Sequence, residues 1–396
     1  LSVLSGIADF FLLHDREIYM AIDDSVAAPL GRSYFLLRRA RGYIPAPMAL
    51  HADSPVIFGA GAEMKSSFCV SKGDLLFPGQ YLGDMKQRET AVYYGRAMKH
   101  FLTLYELTPE YLAHDLHPQF LSTATALGNL PGFTGEKLAV QHHHAHLAAC
   151  LLENGVRGPA IGAIFDGTGY GQDGTVWGGE FLVGDFAGFS RRGHFLPSRL
   201  PGGDASVMEP WRYGLSLLAE VLGEETALQA GEKLWPGRKD MIPLILSVLR
   251  ISPLTTSCGR FFDGVAALLG LVERITFDGQ AAMALEGIAE GGRLSAPFSV
   301  ERRDGRFILD WRPAVRWVTE NCGTMRKELV AGAVHTGLAR GVAEICGYLA
   351  EETGIRDVAL SGGVWQNRRL TASVRKLLWE KGLNPLLHKL VPPNDE

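Results

Sequence analysis

No apolar run in this chain is long enough to cross a bilayer. The longest stretches, such as "GVAALLGLV" (264–272), fall far short of the ~20 residues a spanning helix needs. Cysteine is sparse and scattered. Cys69, Cys150, Cys258, Cys322 and Cys346 show no CxxC spacing, which excludes a zinc knuckle and a disulfide framework and suits a reducing compartment. An excess of positive charge is also missing. With 39 Lys and Arg against 43 Asp and Glu, the net charge is −4, and neither a nucleic acid nor a membrane is implied as a partner. The opening "LSVLSGIADFFLLHD" lacks the basic start of a signal peptide and is interrupted by Asp9, so a cytoplasmic protein is expected. Both ends read as cut, and a piece of a longer protein is expected.

What is there alternates between strand and helix signals. "DFFLLHDREIYMAIDDSV" shows two β-type runs around a polar turn, and "SYFLLRRARGY" a third. "GYIPAPMALHADSP" carries three prolines and marks a boundary near residue 50. "PVIFGAGAEMKSSFCVSKGDLLF" reads as strands joined by turns. "RETAVYYGRAMKHFLTLY" has helical spacing through Val92, Ala97, Phe101 and Leu104. "PAIGAIFDGTGYGQDGTVWGGEFLVGDF" (159–186) restarts the pattern, residues 205–285 read as mostly helical, and "RDVALSGGVWQNRRLTASVRKLL" as strand, glycine turn and helix. A strand–hairpin–helix theme at about 55 and again at about 159 predicts a duplicated α/β unit. The expected divisions are an N-terminal β-rich piece (1–50), a first lobe with the histidine-rich segment (51–157), and a second lobe that returns to the first (158–396).

"AVQHHHAHLAACLLENG" (139–155) concentrates four of the twelve histidines in five positions. On a helix, residues four apart sit about 40° from each other on one face. His142 and His146 are the one such pair; His143 with His146 is the next option, and His144 points elsewhere. Two imidazoles one turn apart can share a divalent ion. The plainer alternative is a polar helix start with Leu147 and Leu151 in the core. Two histidines do not complete a site, so carboxylates are needed. Asp166 sits where an apolar strand meets a glycine turn, a place suited either to a ligand or to an Asp supporting its own turn. The following glycines leave amides free to wrap phosphate oxygens or simply permit the turn. In "LSGGVWQNRRL" (360–370), Gly362 and Gly363 precede a helix whose amides and dipole favour a nucleotide, with Asn367 one turn in. Lys65 is a phosphate contact or a solvated hairpin residue. Arg212, Arg260, Asp263 and Glu286 lie in apolar contexts and are expected in structural ion pairs.

Taken in order, "DDSVAAPLGRSYFLLRRARGYIPAP", "DLHPQFLST", "VQHHHAHLAAC", "DGTGYGQDGTVWGGEF", "EPWR", "GRFFDGVAALLGL", "DGQAAMALE" and "SGGVWQN" resemble the HypF carbamoyltransferase family over nearly the whole chain. The resemblance implies a duplicated ribonuclease-H-like fold of the actin/Hsp70/hexokinase type, two-lobed and nucleotide-binding, preceded by the tail of a YrdC-like domain. It places metal ligands on His142, His146, Asp166 and Asp395, and nucleotide contacts on Gly167, Thr168, Gly169, Gly362, Gly363 and Asn367. The implied cofactors are ATP, AMP or carbamoyladenylate and one divalent metal, zinc or iron. The implied reaction passes a carbamoyl group from carbamoyladenylate to the C-terminal cysteine of HypE, for cyanide-ligand synthesis in nickel–iron hydrogenase maturation. In the full-length enzyme, carbamoyl phosphate and ATP supply the adenylate; this chain is expected not to make it. An O-carbamoyltransferase acting on a small hydroxyl acceptor, a tRNA-modifying enzyme and a non-catalytic nucleotide module are the competing readings.

Overall fold

The computed structural model describes residues 3–31, 33–130, 132–292 and 294–396. Leu1, Ser2 and Arg32 of the N-terminal motif lie outside the described residues. A two-stranded hairpin, β1 (Val26–Leu30) and β2 (Ser33–Arg38), comes first. The two strands expected before it are absent: residues 9–22 form no strand, and Phe10, Leu12 and Ile18 are exposed. Apolar β-type residues without a neighbour to pair with gain nothing from extension.

Two sheets follow, built on one plan. The first contains β3 (Met48–Ser54), β4 (Ile57–Gly59), β5 (Cys69–Pro78), β6 (Tyr111–Asp115) and β7 (Glu136–Val140), in the order β3-β5-β4-β6-β7. Helices α1 (Arg88–Leu104) and α2 (Leu121–Gly128) make the crossovers that parallel β4, β6 and β7 require. The second sheet is centred on β8 (Ala160–Tyr170), β9 (Val176–Gly184) and β10 (Phe189–Phe195), with the short β11 (Ser198–Arg199) and β12 (Leu254–Thr255) alongside. β13 (Ser299–Arg303) and β14 (Arg306–Asp310) extend one edge, and β15 (Asp357–Ser361) and β16 (Asn384–Leu386) the other. In each sheet a central strand, β4 or β8, pairs antiparallel with the next strand and parallel with a later one. This is the duplicated ribonuclease-H-like α/β arrangement. The copies differ in the added strands of the second sheet and in the outer position of the hairpin. The outer position beside β9 is filled by β10, which follows it, whereas the position beside β5 is filled by β3, which precedes it. The division expected at 50/51 therefore falls inside a strand of the first sheet.

α1 has the bounds its spacing predicts, but its buried stripe is Tyr94, Ala97, Met98 and Phe101; Val92 and Leu104 are exposed. The stripe follows the strict i, i+3, i+4, i+7 rule, and the outliers sit on the solvent side. The histidine helix, α3 (His142–Glu153), follows β7 in sequence, yet its apolar face packs on the second sheet: Leu147, Cys150 and Leu151 are buried against Ala160, Ile164, Leu182 and Ala359. The described chain end adds no strand to the first sheet. Instead, Asn394 donates to the Leu37 carbonyl at 3.2 Å and Glu396 accepts the Arg39 amide at 2.7 Å. No helix among the described residues is long and apolar enough to cross a membrane.

Trp365 locks the second sheet to the turn after β15. Its ring stacks on Phe165 at 5.3 Å and its indole N–H donates to the Ala163 carbonyl at 2.8 Å. Trp365→Ala is expected to cost about 3–5 kcal/mol of stability. Denaturant titration measures it, and a loss below about 1 kcal/mol would contradict this packing role.

Candidate metal centre

Three segments of the second sheet's surroundings meet at one buried point. α3 begins at His142, capped by Gln141, whose side-chain oxygen accepts the His144 amide at 3.0 Å. β8 loses ladder register between Phe165 and Gly169, and this bulge turns Asp166 out of the strand. The third segment is the C-terminal loop with Asp395. One ligand atom from each of His142, His146, Asp166 and Asp395 lies within 4.8 Å of the others. Each imidazole Nε2 is 3.2 Å from Asp166 Oδ2 and 3.3 Å from Asp395 Oδ1. Asp166 is held in place through its other oxygen, which accepts the amides of Gly167 at 2.7 Å and Gly363 at 3.2 Å.

The ring protons decide what this cluster needs. His142 Nδ1 faces Asp115 Oδ2 at 2.9 Å, and His146 Nδ1 faces Ser361 Oγ at 3.2 Å. With those nitrogens donating, neutral rings present bare Nε2 lone pairs to two carboxylate oxygens. Four acceptors then converge with no proton between them, so the cluster calls for positive charge. Burial opposes charging His142, but Asp395, Asp115 and Asp166 outweigh it and hold its pKa well above the ordinary imidazole value. His146 is raised in the same way, by Asp166 and Asp395. Burial would raise Asp166, yet its contacts with both imidazoles keep it well below the usual carboxylate range. A divalent ion meets the same demand. Bonds of 2.0–2.1 Å in a tetrahedral shell place neighbouring ligand atoms about 3.3 Å apart, close to the 3.2–3.3 Å nitrogen–oxygen spacings here. The donor set fits a cation.

The other expected residues are placed less uniformly. Gly167 and Gly169 border the cluster: a Cβ on Gly167 would sit 3.2 Å from Arg260 Nη2, and one on Gly169 2.4 Å from the His143 ring. Thr168 between them is exposed. Gly362 and Gly363 are packed against β8, where a Cβ on Gly362 would lie 2.2 Å from the Phe165 carbonyl oxygen. Asn367 is turned away. It caps the following helix by accepting the Leu370 amide at 2.9 Å, and its Nδ2 meets His335 at 2.8 Å. Lys65 reaches from the first lobe to pair with Asp278 of the second. His143 is fully buried beside Trp177, and burial, then the charge of His142, pushes its pKa well below 6.5. His144 bonds the Asp185 carbonyl at 2.7 Å, away from the cluster. Arg212 pairs with Glu209, Arg260 with Asp263, and Glu286 accepts the amides of Arg368 and Arg369, as their apolar contexts predict.

Asp115, which contacts His142, His388, which reaches His146 through Ser361, and Glu153 behind His388 were missed from sequence. Asp115 opens the string "DLHPQFLST" and ends β6, a strand-end acid of the same kind as Asp166. For Glu153 and His388 the sequence offers no comparable signal.

Residues 52–153 match the family model described as the HypF Kae1-like domain, and residues 162–396 match that of the carbamoyltransferase Kae1-like domain, second subdomain. The chain belongs to the HypF carbamoyltransferase family. Within it, the chain is 37% identical over 399 residues to carbamoyltransferase HypF of Rhizobium leguminosarum bv. viciae, covering 99% of this chain and 50% of that protein. It is 32% identical over 360 residues to a carbamoyltransferase HypF homolog of Cupriavidus necator, covering 87% and 89%. A crystal structure of full-length HypF in the phosphate- and nucleotide-bound form superposes with a TM-score of 0.92 at 32% identity, over 99% of this chain and 61% of that one. The chain spans about half the length of the Rhizobium relative and of HypF2 of Cupriavidus necator.

Proposed function

We propose that this chain transfers a carbamoyl group from carbamoyladenylate to the C-terminal cysteine thiolate of HypE, in the maturation of nickel–iron hydrogenases. The observation that supports it most is the buried His142–His146–Asp166–Asp395 cluster in a member of the HypF carbamoyltransferase family. Those four residues would hold a divalent ion, zinc or iron, which supplies Lewis acidity to the carbamoyl carbonyl. The adenylate lies in the cleft between the lobes, with its phosphate side toward Gly167, Thr168 and Gly169 and its adenosine side toward the Gly362–Gly363 turn. Lys65, paired with Asp278 across the two lobes, brings positive charge to the cleft. In the transfer, the new bond joins the thiolate sulfur to the carbamoyl carbon. The carbon–oxygen bond to phosphate breaks, and AMP leaves with the electron pair.

Four of the chain's five cysteines are poor nucleophiles, which favours an acceptor thiol from a partner. Cys150, Cys258 and Cys346 are buried. Burial pushes the Cys346 and Cys69 thiols up to about 12, and Cys150 and Cys258 are raised as well. Five unpaired thiols also accord with a cytoplasmic setting.

Mass spectrometry of HypE incubated with the metal-loaded chain and carbamoyladenylate tests the proposal. One carbamoyl group on the C-terminal cysteine is expected, and none after the metal is stripped. An unmodified HypE with the loaded chain would refute the reading.

A further inference from the structure

Behind His146 runs a line of buried polar groups. His146 Nδ1 lies 3.2 Å from Ser361 Oγ, and that oxygen lies 2.8 Å from His388 Nε2. His388 Nδ1 rests directly against Glu153 Oε1. The other Glu153 oxygen accepts the amides of Lys389 at 2.9 Å and Leu390 at 2.7 Å. Ser361 is fully buried, and the side chains of His388 and Glu153 are 3% and 1% exposed. The three come from the end of β15, the loop after β16 and the last turn of α3, so the fold alone assembles them.

Donor and acceptor capacities give this line a direction. Burial opposes ionising Glu153, but His388 and the two amides outweigh it and hold the carboxyl below its usual range. The Glu153 oxygen pressed against His388 Nδ1 favours the tautomer with the proton on that nitrogen. Its bare Nε2 then accepts the Ser361 hydroxyl hydrogen. The serine oxygen presents a lone pair to His146, which keeps its proton on Nδ1 and leaves Nε2 bare. Asp115 does this directly for His142; for His146 the same instruction travels through three residues.

We infer that Glu153, His388 and Ser361 are a positioning relay that holds His146 in the one tautomer able to ligate a cation. The inference rests on the metal-centre reading above. Serine, histidine and acid also compose a hydrolytic triad, but here the hydroxyl is enclosed between two imidazoles and has no access to substrate.

Glu153→Gln tests the relay with almost no change of shape. The Lys389 and Leu390 amides claim the single amide oxygen of Gln, so its NH₂ faces His388 Nδ1. Each proton downstream then reverses, and His146 ends with its hydrogen on Nε2. Affinity of the full chain for Co²⁺, read by chelator competition, is expected to fall about 10–100-fold. The visible Co²⁺ spectrum should change, while the metal-free melting temperature stays near that of the parent. Ser361→Ala cuts the line and should weaken Co²⁺ by a similar factor. Adding Glu153→Gln to Ser361→Ala should then cost nothing more, because a relay is broken once.

Parent-like Co²⁺ affinity in Glu153→Gln, or losses that simply add in the double variant, would overturn the relay while leaving the metal centre standing. If Glu153→Gln does not fold, Ser361→Ala decides, and parent-like affinity there overturns it. A parent chain that takes up no Co²⁺ overturns the metal reading and the relay together.

Discussion

Protein carrying His142→Ala and His146→Ala, purified without chelators, is expected to hold no metal and to lose the proposed carbamoyl transfer to HypE. Both ring nitrogens that face Asp166 Oδ2 disappear together. The remaining carboxylates have no neutral donor beside them and should bind a divalent ion at least about 10³-fold more weakly, since disturbing even the outer partners of a ligand costs 10–100-fold. The double change also leaves Asp166 and Asp395 without counter-charge, and uncompensated buried charge costs about 3–5 kcal/mol. His144→Ala is the control. Its ring bonds the Asp185 carbonyl and takes no part in the cluster, so metal content should stay at the parent level. Elemental analysis of the three proteins reads the outcome, and equal metal in all of them would end the metal-centre account.

The second large effect belongs to a residue with no side chain. Gly362 has φ +103, and a Cβ there would lie 2.2 Å from the Phe165 carbonyl oxygen and 2.7 Å from its carbon. Both atoms are backbone of the central strand and have no room to yield. Gly362→Ala is therefore expected to destabilise by about 4 kcal/mol or more, combining a disfavoured backbone conformation with a steric clash. Metal affinity should fall with it, because the neighbouring Gly363 amide fastens Asp166 at 3.2 Å. Gly354 separates the two costs. It closes the long helix Lys327–Thr353 at φ +75 with nothing within 4 Å of its absent Cβ, so Gly354→Ala should cost only about 1 kcal/mol. Denaturant unfolding compares them; similar losses would show that the close approach to Phe165 is not what matters.

That glycine pair also shows where sequence reasoning stops. Two glycines before a helix read as a nucleotide loop more readily than as close packing, which accounts better for one glycine than for two. The coordinates add the packing role: both glycines press against β8, and one of them anchors a carboxylate of the cluster. From sequence, Asn367 reads as a ribose or base contact one turn into the helix. Whether it faces the cleft or caps its own helix depends on a backbone turn of a few degrees per residue, which no pattern of residue types records.

The local periods belong to the sequence itself. Helical spacing picks His142 and His146 from four histidines, and apolar strands ending in glycine turns mark Asp166 and predict a repeated α/β unit. Those inferences need only the 3.6-residue turn and the alternation of a strand, which act between near neighbours. Tertiary structure decided what meets what. Asp395 faces His146 across 249 residues, His388 lies against Glu153 from the far end of the chain, and α3 packs on a sheet formed after it. Such contacts are set by which apolar faces bury against each other, a property of the whole chain rather than of any segment of it.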